Sequence, residues 1–352
     1  MKNLLLVLFF FFVNTLISQE FEDYYKNAMK LINEREFEQA HQYLDSVYKI
    51  TNNDIFYYER AVIYYRQKDF SGAIRILEQL MMKGNARVEF YQLLGSCYDF
   101  EGEKNKTINI LNEGLYKYPN AGSLYYELGV TKLGMQERQE AADLWEKGIY
   151  MDPTYDRNYY QLTKFYKSTD FKVVALFYGE IYINISNDDN KKQEISGILF
   201  DIYENVLNSY QLSGEVQFTR YYRDFKIEDA VEYPFIFKYH EIATKVLEKI
   251  NTKGEISISM MNDFRKEFLK SWIENEVDVF YQNLIIDFQS QLQKLGLIDA
   301  YNFMLLSAGN VDEITEYAQT NRNSIIQLIN WQTKNRLNIN DENKYFSQKY
   351  KP

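Results

Sequence analysis

A recurrence every 34 residues constrains this chain more than any other feature. Gly95 and Gly129 are 34 apart, as are Tyr91 and Tyr125, Leu94 and Leu128, Gly114 and Gly148, and Pro119 and Pro153. A further step back from Tyr91, Gly95 and Leu111 lands on Tyr57, Ala61 and Leu77. One of these coincidences uses two of only four prolines, so chance is a poor account. A period of this length describes one supersecondary unit that cannot bury its apolar face alone and must stack on copies of itself. Scarce Pro and Gly elsewhere favour long helices with short turns.

Within each period the residue types match two packed helices. Gly or Ala near the middle of each helix lets two backbones approach. Larger apolar residues one turn away fill the space beside them. Pro at the end cannot continue the second helix and disfavours helix in the residue before it. Polar turns such as Glu34-Arg35-Glu36-Phe37 and Lys68-Asp69-Phe70 lie between the two helices, each followed three residues later by an alanine, Ala40 and Ala73.

This pattern resembles the tetratricopeptide repeat family. That family has an aromatic at repeat position 4, Leu-Gly at 7 and 8, Tyr at 11, Ala at 20, an aromatic or Leu at 24, a small residue at 27 and Pro at 32. From Val88 the match is Tyr91, Leu94, Gly95, Tyr98, Leu111, Gly114 and Pro119, with Thr107 in place of Ala. From Gly122 it is Tyr125, Leu128, Gly129, Ala141, Trp145, Gly148 and Pro153, with Lys132 in place of Tyr. The repeat from Asp54 keeps Tyr57, Ala61, Tyr64, Ala73 and Leu77 but has Asn85 for Pro. Looser copies start at Phe21 (Tyr24, Ala28, Ala40, Leu44, Val47) and at Asp156 (Tyr159, Leu162, Tyr166, then Val174 and Tyr178 after losing about one residue). The resemblance implies an all-α fold: a right-handed α-α solenoid of five hairpins over residues 19–187, followed by an all-helical C-terminal region. It also implies a binding scaffold rather than an enzyme.

One feature exceeds the family pattern. Tyr-Tyr recurs as Tyr24-Tyr25, Tyr57-Tyr58, Tyr125-Tyr126 and Tyr159-Tyr160, with Tyr91-Gln92 in the remaining copy. Neighbours on a helix point about 100° apart. The two tyrosines of a pair therefore do different jobs: by the resemblance, the first is the packing aromatic at position 4 and the second falls on the face that lines a concave groove. The groove positions include Tyr25, Tyr58, Tyr65, Gln92, Asp99, Tyr126, Arg157, Tyr160 and Lys164. Two readings stand. In one, the tyrosines form an aromatic ladder for an extended peptide or a partner helix, since Tyr offers a large contact area with a polar tip. In the other, they add packing between repeats. Arg157, Lys164 and Lys167 read as a basic groove end suited to an acidic segment, or as a solvated helix face. A variant of the family grips a C-terminal carboxylate with Lys, Arg and Asn. Here the matching positions are mostly Tyr, Val and acidic residues, so that function does not carry over.

From about 188 to 337 the register fades while helical periodicity continues. Phe264, Phe268 and Trp272 form one stripe, and Phe280, Leu284, Phe288 and Leu292 another. Helices are expected at about 191–211, 214–226, 233–251, 258–274, 277–295, 298–308 and 311–335, built as degenerate repeats, as a cap, or as a separate module. The polar stretch 338–352 reads as a tail that frays.

Residues 1–18 read as an export signal: Lys2 is followed by an unbroken apolar run from Leu4 to Val13 and by Ser18 before the cut. At ten residues the run is shorter than the roughly 20 a membrane span needs. The expected location is therefore the periplasm or cell envelope of a bacterium. Cys97 is the only cysteine, so no intrachain disulfide can form, and it reads as a small buried hydrophobe.

The net charge of −10 comes without a basic block, which argues against nucleic acid. His41 and His240 are the only histidines, and His240-Glu241 is not followed by the second His of a zinc-protease helix. No catalytic residue, metal ligand or cofactor is expected. The expected partner is another protein. The alternative is a carbohydrate or small ligand stacked on the aromatics.

Overall fold

The computed structural model describes residues 21–218 and 234–345. Every regular element among them is an α-helix. The chain divides into two compact units after Pro119.

The first unit holds three hairpins: α1 (21–33) with α2 (Phe37–Thr51), α3 (Asp54–Arg66) with α4 (Phe70–Met82), and α5 (Val88–Phe100) with α6 (Lys104–Lys117). Local chemistry sets the ends. Asn53 caps α3 by accepting from the Ile55 amide (3.1 Å), and Asp69 caps α4 by accepting from Gly72 (2.7 Å). Each hairpin turn places one residue in the left-handed region, Arg35, Lys68 and Gly102. The next amide then closes onto the first helix: Glu36 to Leu31, Asp69 to Tyr64 and Glu103 to Tyr98, at 2.9–3.0 Å.

The second unit begins with α7 (Gly122–Gly134) and α8 (Arg138–Met151), then α9 (Asp156–Lys167) and α10 (Lys172–Ile185). Its core shows why the small residues recur. A Cβ on Gly129 would lie 2.2 Å from the indole nitrogen of Trp145, so only glycine fits. In the first unit Gly95 meets Leu111 in the same way, at 2.6 Å. Where Lys132 replaces the family tyrosine, its ammonium bridges to Glu137 and Glu140 at the start of α8. Cys97 is buried, and burial pushes its thiol up to about 12.

The repeat register runs further than the sequence suggests. The first helices start at Asp54, Val88, Gly122 and Asp156, and α11 (Asp189–Ser213) starts 33 residues after the last of these. It packs on α9 and α10 as a sixth first helix. Ile195, Ser196 and Leu199 take the places of Leu, Gly and Tyr and are buried. Among the described residues no second helix in register follows, because α11 runs on unbroken to Ser213. The Ser196 hydroxyl accepts from the amide of Ala308, and Phe200 lies against Gly309, so a C-terminal segment packs on this part of α11.

The remaining helices are α12 (Pro234–Leu247), α13 (Ile258–Glu274), α14 (Val277–Phe280), α15 (Leu284–Lys294), α16 (Ile298–Leu305), α17 (Val311–Thr320) and α18 (Arg322–Lys334). One hydrophobic core runs from α8 through α11 into these helices, across the position near 187 where the sequence suggests a boundary.

Two expected helices are broken. The 277–295 helix stops at Phe280, which is exposed, and restarts at Leu284. Asn283 forms the break by capping α15 through the Ile285 amide (2.9 Å). The 311–335 helix divides at Asn321. The helix expected at 214–226 falls largely outside the described residues.

The expected fraying tail is packed as far as residue 345. Tyr345 stacks on Phe177 at 5.2 Å with 1% exposure, and the Lys344 ammonium donates to the carbonyl of Tyr150 and sits over its ring. An apolar side chain every few residues, Leu337, Ile339 and Tyr345, holds this segment down.

Candidate binding surfaces on the first helices

In the first unit the face formed by α1, α3 and α5 carries Tyr25, Tyr58, Tyr65, Gln92 and Asp99, all half-buried. Tyr25 donates to Glu59 at 3.2 Å. Burial raises the Glu59 carboxyl pKa against the lowering effect of that bond. Tyr58 stacks on Phe90 at 5.1 Å, and its hydroxyl pKa is raised by burial and then by Glu59. Asp99 is paired with Lys104 at 2.8 Å.

Tyr65 is part of a cluster that the sequence does not single out. Its ring meets Phe70 edge-on at 5.7 Å and Phe100 at 5.8 Å, while Phe70 and Phe100 stack at 4.7 Å with planes 5° apart. Phe100 is 62% exposed. Tyr65 and Phe70 are half-buried, so the cluster presents one exposed ring, Phe100, backed by two others at the helix ends.

In the second unit the corresponding face comes from α7, α9 and α11. Tyr126 meets Tyr155 edge-on at 5.9 Å, and the exposed Arg157 guanidinium lies over the Tyr126 ring. Tyr160 differs from the other second tyrosines, because it is only 8% exposed. Its hydroxyl donates to Glu194 at 2.5 Å, and its ring packs on Tyr182 at 5.4 Å. Lys164 pairs with the same Glu194 at 2.9 Å, and Lys167 pairs with Asp201 at 2.8 Å. Burial alone would raise the Glu194 carboxyl pKa, but hydrogen bonds from Tyr160 and Lys164 outweigh it and lower it. The positive charge expected at this groove end is therefore met by α11, leaving Arg157 as the cation without an ion pair there among the described residues.

Sequence reasoning missed α11 as the source of these acids, although the signal was present. Tyr25 to Glu59 and Tyr160 to Glu194 are both steps of 34 residues. A second periodic pair was also overlooked. Tyr98 donates to Glu78 at 2.6 Å and Tyr166 to Glu146 at 2.9 Å, each a step of 20 back to the preceding second helix. These position-11 tyrosines tie successive repeats together.

Elsewhere, Trp272 is buried. Burial lowers the His240 imidazole pKa to about 4. Among the described residues no three His, Cys, Asp or Glu side chains converge as a metal site, and no helix is long and apolar enough to cross a membrane.

No family model matches the chain. It is similar to DnaJ homolog subfamily C member 3 of Gallus gallus, 29% identical over 137 residues, a stretch covering 36% of this chain and 26% of that protein. The chain thus spans about a quarter of that relative's length. Among solved structures it is similar to MamA, with 22% identity, TM-score 0.37, and coverage of 47% of this chain and 96% of that one. It is also similar to PilF of Pseudomonas aeruginosa, with 13% identity, TM-score 0.43, and coverage of 58% and 97%. The fold itself is all-α, with helical hairpins of the tetratricopeptide type followed by a helical C-terminal region.

Proposed function

We propose that the protein is a non-catalytic scaffold that holds another protein, taking a peptide or helix of its partner on the faces of its first helices. The observation that carries this reading is the Tyr65–Phe70–Phe100 cluster. The exposed Phe100, backed by the half-buried Tyr65 and Phe70, can stabilise a complex by burying area at low entropy cost, because an aromatic ring has only two side-chain torsions to fix. The expected occupant brings an aliphatic or aromatic anchor to that cluster and meets the half-buried Tyr58 and Tyr25 further along. Export to the cell envelope belongs to the same proposal and rests on residues 1–18.

The test is crosslinking with mass spectrometry in the native envelope, comparing wild type with Phe100→Ala and Tyr65→Ala. The reading expects a partner recovered with wild type and lost with the variants, at unchanged melting temperature. Equal recovery with all three would sink it. Fractionation of the protein into the cytoplasm would remove the export half alone.

Sugar binding remains the second reading, on one observation. A cup of 410 Å³ in the second unit is lined by Asn262, Lys266, Asp299 and Tyr317. Asn262 and Lys266 both donate to Asp299 (2.7 and 2.8 Å), which holds the carboxylate in place. Calorimetry with envelope glycans against wild type and Asp299→Ala tests it. No heat from wild type rejects it.

A further inference from the structure

A cleft of 630 Å³ in the second unit lies between the end of α10, the start of α11, and helices α16 and α18. Its size is within the range of about 300–1,000 Å³ that encloses a small ligand or a few residues of chain.

The polar wall of this cleft is built from within. Gln332 donates to Asn184 at 3.4 Å, Asn184 to the Tyr301 hydroxyl at 2.7 Å, and Tyr301 to Glu180 at 2.9 Å. Glu180 in turn is held by Arg265 at 3.0 Å and by Gln289 at 2.7 Å, all buried. A buried ion pair is a weak way to stabilise a fold, since apolar replacements of equal volume usually do as well or better. Its position directly behind the wall supplies another reason for it: it fixes the orientation of the groups that face the cleft.

The other side is apolar, with Met304 42% and Ile329 51% exposed. Arg336 stands exposed at the margin and takes part in no ion pair among the described residues, whereas Lys192 is paired with Asp189 at 3.1 Å.

These three features select one ligand chemistry. A carboxamide presents a donor and an acceptor side by side, which matches the backbone of an extended chain. A helix satisfies its own backbone and gains nothing from such groups. The Met304–Ile329 shelf takes an aliphatic side chain, and methionine adapts its shape to it. The guanidinium fork takes a carboxylate. We infer that this cleft binds an extended peptide segment of a partner protein, its backbone on the carboxamide of Gln332, which is oriented by Asn184 (whose own amide hydrogens go to the Glu180 carbonyl and the Tyr301 hydroxyl), an aliphatic side chain on Met304 and Ile329, and an acidic side chain on Arg336. This rests on the scaffold reading and adds a site to it away from the first-helix faces.

The test is panning of a random peptide library displayed on phage against the full chain. Enriched peptides are then synthesised and titrated by fluorescence anisotropy. Aliphatic-acidic consensus peptides are expected, weakened at least 10-fold by Arg336→Glu and by Ile329→Asp and unaffected by Phe100→Ala. Circular dichroism of each variant checks that it folds as wild type does. Peptides that bind Arg336→Glu and Ile329→Asp with unchanged affinity overturn the cleft. If those same peptides fail on Phe100→Ala, the cleft falls while the scaffold reading stands. No enrichment at all overturns both.

Discussion

The Arg265 guanidinium holds Glu180, 85 residues away in sequence, with one nitrogen 3.0 Å from each carboxylate oxygen. The pair ties α13 to α10, and so the C-terminal helices to the last repeat hairpin. Burial alone would lower the Arg265 pKa, but the Glu180 carboxylate outweighs it and keeps the side chain charged. Removing one partner strands the other in a dry site. Arg265→Ala is expected to cost about 3–5 kcal/mol in chemical denaturation. The double variant Glu180→Leu with Arg265→Met should recover most of that loss. A single variant as stable as wild type would mean that water reaches the pair.

Two glycines separate the effects of space and propensity. Gly129→Ala puts a Cβ into the Trp145 indole and should destabilise by about 1–3 kcal/mol through overpacking. Gly197→Ala on α11 meets nothing nearer than Ala308 at 3.9 Å and should stabilise by up to about 1 kcal/mol through helix propensity. Thermal unfolding of the two variants should therefore shift in opposite directions.

Much of this could be read from the sequence, and the limits have physical causes. The hairpins were legible because Gly129 against Trp145 and Gly95 against Leu111 are local contacts repeated at a fixed period. Helix α11 kept that period but runs on to Ser213, through the place where the earlier repeats turn, so half the signal disappeared. The C-terminal helices are joined by contacts such as Arg265 to Glu180 and Asn184 to Tyr301, which have no period and leave no pattern in one sequence. Among the groove residues, burial was the property hidden from view. Tyr58 and Tyr160 hold the same repeat position, yet Tyr160 alone is closed over by Glu194 and Tyr182.

That difference divides the tyrosines experimentally. Tyr160→Ala should lower stability by about 3 kcal/mol or more, as for a buried aromatic removed from a core. Tyr160→Phe, which keeps the ring but loses the hydroxyl's bonds to Glu194 and from Lys164, should cost about 1–2 kcal/mol. Tyr65→Ala and Phe100→Ala should stay within about 1 kcal/mol of wild type. If Tyr160→Ala unfolds no earlier than they do, its role is contact with a partner rather than packing.

His240 provides a pH signature. Burial lowers its imidazole pKa to about 4, below the ordinary value near 6.5 that the unfolded chain would show. The folded state therefore stays unprotonated in a range where the unfolded state binds a proton. Its contribution to stability is fully present above about pH 6.5 and is lost as pH falls toward 4, by up to about 1.4 kcal/mol per pH unit. Other groups titrate in the same window, so the comparison with His240→Leu isolates the effect. Urea unfolding at pH 7.5 and pH 5 should show a larger loss for wild type than for the variant. Equal losses would mean that the imidazole is protonated in the folded protein, and that α12 opens to water around it.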